Sequence, residues 1–324
     1  MVSAIFIKDN KTRKSCDSSC YAFRVQRNGA YECASKAGRK KHFSLLSKVK
    51  FAGILISVTY STGRTTFVFM AIKRINILGV GISVINLETA LAAVADAVRQ
   101  RRKGYICVTG VHGVMEAQTD EKLRRILNQA LLCTPDGMPM VWLGRLHGHR
   151  EMRRVYGPDL MLDVCEWSQK NPCKHFFLGG AAGVAEELQR KLTARFPNLQ
   201  VVGCYTPPFR PLNTGEEMQL QETIRSVRPD IMWIGLSTPM QEKFMAEFLP
   251  RLDVTLMIGV GAAFDFHSGR VRQAPRWMQR SGLEWCHRLC QEPQRLARRY
   301  LRNNPLFALK IAGQLCGLKK YSLE

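Results

Sequence analysis

Strand-like and helix-like patterns alternate along the middle of this chain, and that alternation limits its fold more than any other feature. Apolar runs at 105–108, 131–134, 175–178, 200–204, 231–234 and 254–260 have the features of buried strands. Amphipathic stretches of helical length lie between them. Strands separated by helices form βαβ units, because parallel neighbours need a long crossover. We therefore predict an α/β fold with a Rossmann-like, mainly parallel sheet flanked by helices.

The basic residues are concentrated at the two ends of the chain. Residues 1–70 carry 13 Lys and Arg against 3 Asp and Glu, residues 270–324 carry 12 against 3, and the middle carries 23 against 20. We predict a basic, poorly ordered N-terminal extension at 1–69, an α/β domain at 70–269 and a basic helical appendage at 270–324. Met70 is a candidate natural start, which leaves open whether residues 1–69 belong to the native protein.

The composition favours some partners and excludes others. A formal net charge of +22 favours nucleic acid, an anionic membrane surface or a phosphate-bearing substrate. No nucleic-acid recognition module is visible, so we expect no nucleic acid; a basic nucleic-acid-binding protein or another nucleotide-binding α/β protein stays as the alternative. The 11 cysteines form no CxxC pair, which indicates a reducing compartment and predicts neither disulfides nor a metal site. No apolar stretch is long enough for a transmembrane helix.

Glycines and small polar residues follow five of the predicted strands. They occupy 109–113, 136–137, 179–180, 235–239 and 259–261. Because the carboxyl ends of parallel strands meet at one edge of a sheet, we expect these segments to surround one ligand cleft. Any one of them alone is explained equally well by a tight turn between a strand and a helix.

Asp136 stands where an apolar strand meets a turn. A capping or turn carboxylate is the simplest interpretation. A carboxylate beside apolar walls also has the features of a general base, because burial raises its pKa. Asp265, between two phenylalanines, competes for this role, although a hydrogen-bonded structural acid explains it more simply. His112 is a donor to a substrate, a partner of another site residue or a packed turn histidine.

Two segments have the features of an anion site. The turn at Gly179 and Gly180 precedes a helix whose first N–H groups could hold a phosphate, although a plain turn explains it too. Four arginines recur at spacings of seven, three and one on a helix broken near Pro293: Arg288, Arg295, Arg298 and Arg299. On one face they would hold a diphosphate; a solvated basic helix and a surface for anionic lipid are the alternatives.

Six segments occur in the order and spacing typical of the WecG/TagA/CpsF glycosyltransferases, which this chain resembles over about residues 74–303. They are TPDGMPMVW, RRVYGPDLM, FFLGG, RPDIMWIGLSTPMQEKF, IGVGAAFDFHSG and APRWMQRSGLEWCHRLCQEPQRLARRYL. The resemblance implies an inverting, metal-independent transferase without a cofactor. It implies transfer from a UDP-sugar to a polyprenyl-diphosphate-linked saccharide in exopolysaccharide or other cell-surface polysaccharide synthesis. It also implies a peripheral location on the cytoplasmic face of the plasma membrane, with an appendage that completes the active site and contacts the membrane.

The resemblance also implies roles for single residues. It assigns the base to Asp136, and substrate contacts to Arg154, Gln241, Arg288, Arg295 and Arg298. Thr109 matches the first position of the family's Thr-x-Asn turn, but Val111 stands where Asn is expected, with His112 beside it. This departure implies a donor sugar other than N-acetylmannosamine, glucose being one candidate. Ala262 replaces a usual glycine. The apolar stretch 138–146 is a candidate acceptor groove or homo-oligomer interface.

Overall fold

The computed structural model describes residues 72–323 in full and, among residues 1–71, the backbone of five strands. These are β1 (Ile5–Ile7), β2 (Tyr21–Val25), β3 (Tyr31–Ser35), β4 (Leu55–Thr59) and β5 (Thr65–Phe69). The first three form an antiparallel sheet, and the last two pair with each other. The rest of residues 1–69, on which the prediction of a poorly ordered extension falls, lies outside the described residues.

A β-hairpin is the first structure in residues 72–323. The sequence predicts a strand, a turn and a helix from residue 70, and the structure adds a second strand before the helix. The strands are β6 (Arg74–Ile77) and β7 (Val80–Ser83), paired antiparallel. Leu78 and Gly79 both have positive φ, 52° and 83°, and close the two-residue turn that joins them.

Six parallel strands form the central sheet of residues 72–323. In chain order they are β8 (Gly104–Thr109), β9 (Leu132–Pro135), β10 (Lys174–Gly179), β11 (Gln200–Tyr205), β12 (Ile231–Gly235) and β13 (Leu256–Gly259). Across the sheet the order is β11-β10-β12-β13-β8-β9, and every neighbouring pair is parallel. The predicted α/β fold with a parallel sheet is confirmed.

Both faces of the inner strands are buried, which explains why these strands are mainly apolar. Successive side chains of a strand point to opposite faces. In β10, Phe176 and Leu178 enter one core and Phe177 enters the other. In β12, Met232 and Trp233 divide in the same way, and all five of these side chains are fully buried.

Helices cover the two faces and the carboxyl edge of the sheet. They are α1 (Leu87–Arg99), α2 (Val111–Glu116), α3 (Glu121–Gln129), α4 (Met138–Leu146), α5 (Gly157–Ser168), α6 (Val184–Arg195), α7 (Thr214–Val227), α8 (Met240–Phe248) and α9 (Ala263–His267). Sequence patterns miss α2, which is only six residues long, and α4, which begins at a glycine-proline turn. The predicted strand end before Pro135 is wrong by one residue, because an edge strand tolerates proline.

Three helices form the C-terminal appendage: α10 (Arg276–Arg280), α11 (Glu284–Gln291) and α12 (Pro293–Leu315). The predicted break near Pro293 is confirmed. The appendage packs on the α/β unit through Leu296 and Phe307, which are both buried. At its far end, Gln314 accepts a hydrogen bond from Leu78 N–H (2.9 Å) and donates one to the carbonyl of Asn76 (3.0 Å). Among the described residues, no helix combines the length and the apolar character needed to cross a bilayer.

Candidate active site

A cavity of about 1530 Å³ opens at the carboxyl edge of the parallel sheet. Its walls include residues that follow β8, β9, β10, β12 and β13, together with residues of all three appendage helices. The sequence prediction that the strand ends surround one cleft is therefore confirmed for these five strands. The appendage closes the side of the cleft that the sheet leaves open.

Asp136 is held at the floor of this cavity by its own backbone. Its N–H donates to the carbonyl of Thr109 (3.0 Å), which ties the end of β9 to the end of β8. Gly110 makes this approach possible, because a Cβ there would lie 2.5 Å from the Asp136 carbonyl oxygen. Gly137, with φ of 139°, then turns the chain into α4.

This contact supplies a first prediction. Gly110→Ala should destabilise the fold by about 1–3 kcal/mol and lower turnover, because the new methyl group must displace the backbone of Asp136. Urea denaturation of the purified variant measures the loss. Gly313→Ala in α12 is the matched control, since a Cβ there meets nothing within 4 Å. Equal stability of the two variants would contradict the packing argument.

The side chain of Asp136 is placed for proton transfer. It is 27% exposed, and its Oδ1 lies 3.2 Å from Nη2 of Arg154. Burial raises the pKa of Asp136 most strongly; Arg154 opposes that rise, and the nearby Glu284 adds to it. A carboxylate with a raised pKa that remains open to a cavity can accept a proton from a bound hydroxyl.

Arg154 connects this acid to the appendage. Its Nη2 also lies 2.6 Å from Oε2 of Glu284, at the start of α11. Its guanidinium stacks 3.9 Å from the centre of the Tyr156 ring, and the Tyr156 hydroxyl donates to Oε1 of Glu284 (2.8 Å). Sequence reasoning missed Glu284. A usable signal was present, because it is one of only three acids among the last 55 residues.

His112 lines the cavity beside the appendage. Its Nε2 lies 3.4 Å from the carbonyl of Thr238, and its Nδ1 lies 3.2 Å from the amide nitrogen of Asn303 in α12. Burial, and after it the charge of Arg299, lower the pKa of His112 to about 4. The ring is therefore neutral at pH 7 and bridges α2, the loop after β12 and α12.

Three arginines of helices α11 and α12 line the cavity: Arg288, Arg295 and Arg299. Arg288 and Arg295 share the carboxylate of Glu292, at 3.9 and 2.5 Å. Arg299 has no carboxylate of the described residues within ion-pair distance, and its Nε has no hydrogen-bond partner there. Burial, together with Arg288 and Arg295, lowers the pKa of Arg299 to about 10. A desolvated cation among like charges is stabilised by an anion in the cavity.

Arg298 is not one of the residues that line the cavity. It is exposed on α12, next to Arg299. The spacing of the four arginines does not reveal this, because α11 and α12 are separate helices joined at Glu292. The geometry therefore brings Arg299, rather than Arg298, together with Arg288 and Arg295.

The two glycines of the predicted anion turn pack closely against their neighbours. Gly180 lines the cavity, but its N–H donates to the carbonyl of Gly235 (3.0 Å) and is not available to a phosphate. Gly179 does not line the cavity, and a Cβ there would lie 2.6 Å from the same carbonyl oxygen. Gly179 therefore allows β10 and β12 to approach each other closely, whereas a Cβ on Gly180 would lie 2.8 Å from the side chain of Val184. Thr109 is buried behind the cavity wall, where its Oγ1 accepts from the Cys133 thiol (3.3 Å).

Gln241 presents an unsatisfied acceptor beside the cavity. It is 2% exposed, and its Nε2 donates to Oε1 of Glu242 (3.0 Å). Its Oε1 has no hydrogen-bond partner among the described residues, although the residue lines the cavity. Such an atom costs free energy unless a ligand donates to it. Asp265, the competing acid, lines the cavity near Arg270 and Arg295 and away from the Arg154 pair.

The sequence of this chain is similar to those of known proteins. The Glycosyl transferase WecG/TagA/CpsF family matches residues 75–321, which extends beyond the quoted segments to the end of the appendage. The chain is 27% identical over 234 residues to an N-acetylglucosaminyldiphosphoundecaprenol N-acetyl-beta-D-mannosaminyltransferase of Bacillus subtilis (strain 168), covering 72% of this chain and 79% of that protein. A protein of the same name from Bacillus spizizenii is 27% identical over 199 residues, covering 61% and 76%. The match over most of its length shows that the chain belongs to the WecG/TagA/CpsF family and is a glycosyltransferase.

Proposed function

We propose that this glycosyltransferase moves a sugar from a UDP-sugar to a polyprenyl-diphosphate-linked saccharide, with inversion and without a metal ion. The observation that carries the proposal is the presence, in one cavity, of a carboxylate with a raised pKa and an arginine that has no carboxylate of residues 72–323 within ion-pair distance. The first suits an acceptor hydroxyl, and the second suits a diphosphate. The names of the two Bacillus relatives support a lipid-diphosphate acceptor.

The reaction is a single displacement at the anomeric carbon. Asp136 accepts the proton of the acceptor hydroxyl while the hydroxyl oxygen forms a bond to the anomeric carbon. The bond from the carbon to the phosphate oxygen breaks, and its electron pair leaves with UDP. Arg288, Arg295 and Arg299 stabilise the charge that develops on the diphosphate, which is the task of Mg²⁺ in metal-dependent transferases. The free Oε1 of Gln241 accepts a hydrogen bond from the donor.

The acceptor lipid has a suitable surface on the Asp136 side of the cavity. Trp142 and Leu146 of α4, with Leu283 and Trp285 of the appendage, line the cavity and are 36% to 66% exposed. Exposed tryptophan and leucine beside basic residues are typical of a surface that contacts the membrane interface. This surface supports a peripheral position on a membrane. We further propose that the membrane face is the cytoplasmic face of the plasma membrane, where the lipid-linked acceptor and UDP-sugar meet, and that the product enters exopolysaccharide or other cell-surface polysaccharide synthesis.

A panel of UDP-sugars, each assayed with an undecaprenyl-diphosphate-linked saccharide, tests the proposal. UDP release and the lipid-linked product should appear with one sugar of the panel and should persist in EDTA. Val111, in place of asparagine beside the donor, favours a sugar other than N-acetylmannosamine, with UDP-glucose as a first candidate. Loss of turnover in EDTA would overturn the metal-independent mechanism. Salt-sensitive DNA binding with no UDP release would favour a nucleic-acid-binding protein.

A further inference from the structure

The proposed mechanism gives no role to Glu284, although this appendage carboxylate contacts Arg154 and Tyr156 beside Asp136. Glu284 is 12% exposed, and both of its oxygens are engaged, one by Arg154 and one by the Tyr156 hydroxyl. It lies two residues after Gly282, whose φ of 76° turns the chain between α10 and α11. A Cβ on Gly282 would lie 2.8 Å from the Trp142 ring, so this turn is seated against α4.

Glu284 and Asp136 compete for the same nitrogen atom. Nη2 of Arg154 lies 2.6 Å from Glu284 and 3.2 Å from Asp136. An arginine paired with Asp136 alone would hold that carboxyl in its charged form and make it a weak base. A second carboxylate, closer to the same nitrogen, offsets the positive charge of the guanidinium and places a further negative charge near Asp136.

We propose that Glu284 is a positioning residue through which the docked appendage makes Asp136 basic, by engaging Arg154 and Tyr156. The charged and titratable groups around Asp136 are Arg154 and Tyr156, before α5, and Glu284 and Arg288, on α11. Without the Glu284 carboxylate, Arg154 would pair with Asp136 alone. The appendage therefore contributes to both halves of the reaction, with arginines for the leaving group and Glu284 for the base. This inference rests on the proposed role of Asp136.

The titration of Asp136 tests this directly and needs no substrate. In ¹³C-aspartate-labelled protein, with the Asp136 signal assigned through Asp136→Asn, Glu284→Gln should lower the pKa of Asp136 by about one unit. Glutamine keeps an oxygen that can accept from Tyr156, but it loses the charge. Glu284→Asp keeps the charge and should leave the pKa closer to the wild-type value. Glu187→Gln on α6, far from the cavity wall, is the matched surface control.

The pH dependence of transfer supplies a second readout. Glu284→Gln should lower kcat/KM about three- to ten-fold on the alkaline plateau, because a weaker base transfers the proton less well. Its acid limb should move to lower pH, whereas a purely structural defect lowers the whole profile without moving it. An unchanged Asp136 pKa in Glu284→Gln, or equal shifts in Glu284→Asp and Glu284→Gln, would overturn the inference. Failure of every UDP-sugar to react would overturn the proposed function, while the titration would still decide the role of Glu284.

Discussion

Asp136→Asn should lower kcat by about 10²–10⁴-fold while the affinity for UDP stays within about two-fold of the wild type. Asparagine has nearly the same shape and cannot accept the proton of the acceptor hydroxyl. The diphosphate site that we propose consists of the appendage arginines and does not include this side chain. Turnover with a lipid-linked acceptor measures the first effect, and calorimetry with UDP measures the second.

The wild-type pH profile completes this prediction. The pKa of Asp136 is raised, and the base acts in its ionised form. Activity should therefore be lost as the pH falls through a value above the ordinary carboxyl range. Asp265→Asn is the comparison that separates the two acids of the cavity. If Asp265→Asn abolished turnover and Asp136→Asn did not, the assignment of the base would be wrong.

Arg299→Ala should lower kcat about 10²–10³-fold and should weaken UDP binding as well. Loss of one preformed donor to a developing charge typically costs about 2.7–4 kcal/mol of barrier. Arg299 has no carboxylate partner among the described residues, so its charge is available to the diphosphate. Arg302→Ala, an exposed position further along α12, is the matched control. Steady-state kinetics and UDP calorimetry measure both effects.

Arg298→Ala separates two assignments of the third arginine. The family resemblance selects Arg298, whereas the cavity wall contains Arg299. We expect Arg298→Ala to change kcat by less than about five-fold, as is usual for an exposed cation with weak electrostatic coupling. A greater loss in Arg298→Ala than in Arg299→Ala would mean that the appendage docks differently when the nucleotide is bound.

Local sequence patterns predicted most strands and helices of this fold, because each element has its own spacing of apolar residues along the chain. The sequence predicted all six parallel strands, the helical break before Pro293 and the convergence of strand ends on one cleft. It missed α2 and α4, since a helix of six to nine residues beside glycine or proline has little room to show a period. The position of Asp136 after an apolar strand made it a candidate, and the family resemblance implied its role as the base.

The partners of Asp136 could not be predicted in the same way. Glu284 lies 148 positions further along the chain, and no local pattern links it to Arg154 or Asp136. The sequence of the glycine turn at 179–180 does not say which of its backbone N–H groups are already bonded. Gly180 uses its N–H to bond the end of β12.

The sequence alone determined the class of fold, the family and the acid that we propose as the base, because hydrophobic periodicity and short motifs are local properties. Only the tertiary structure decided the strand order, the choice of Arg299 over Arg298 and the bridge from Glu284 through Arg154 to Asp136. Each of these depends on the relative rotation and docking of elements that are distant along the chain. Such docking is set by side-chain packing in three dimensions, which spacing along one helix or strand does not encode.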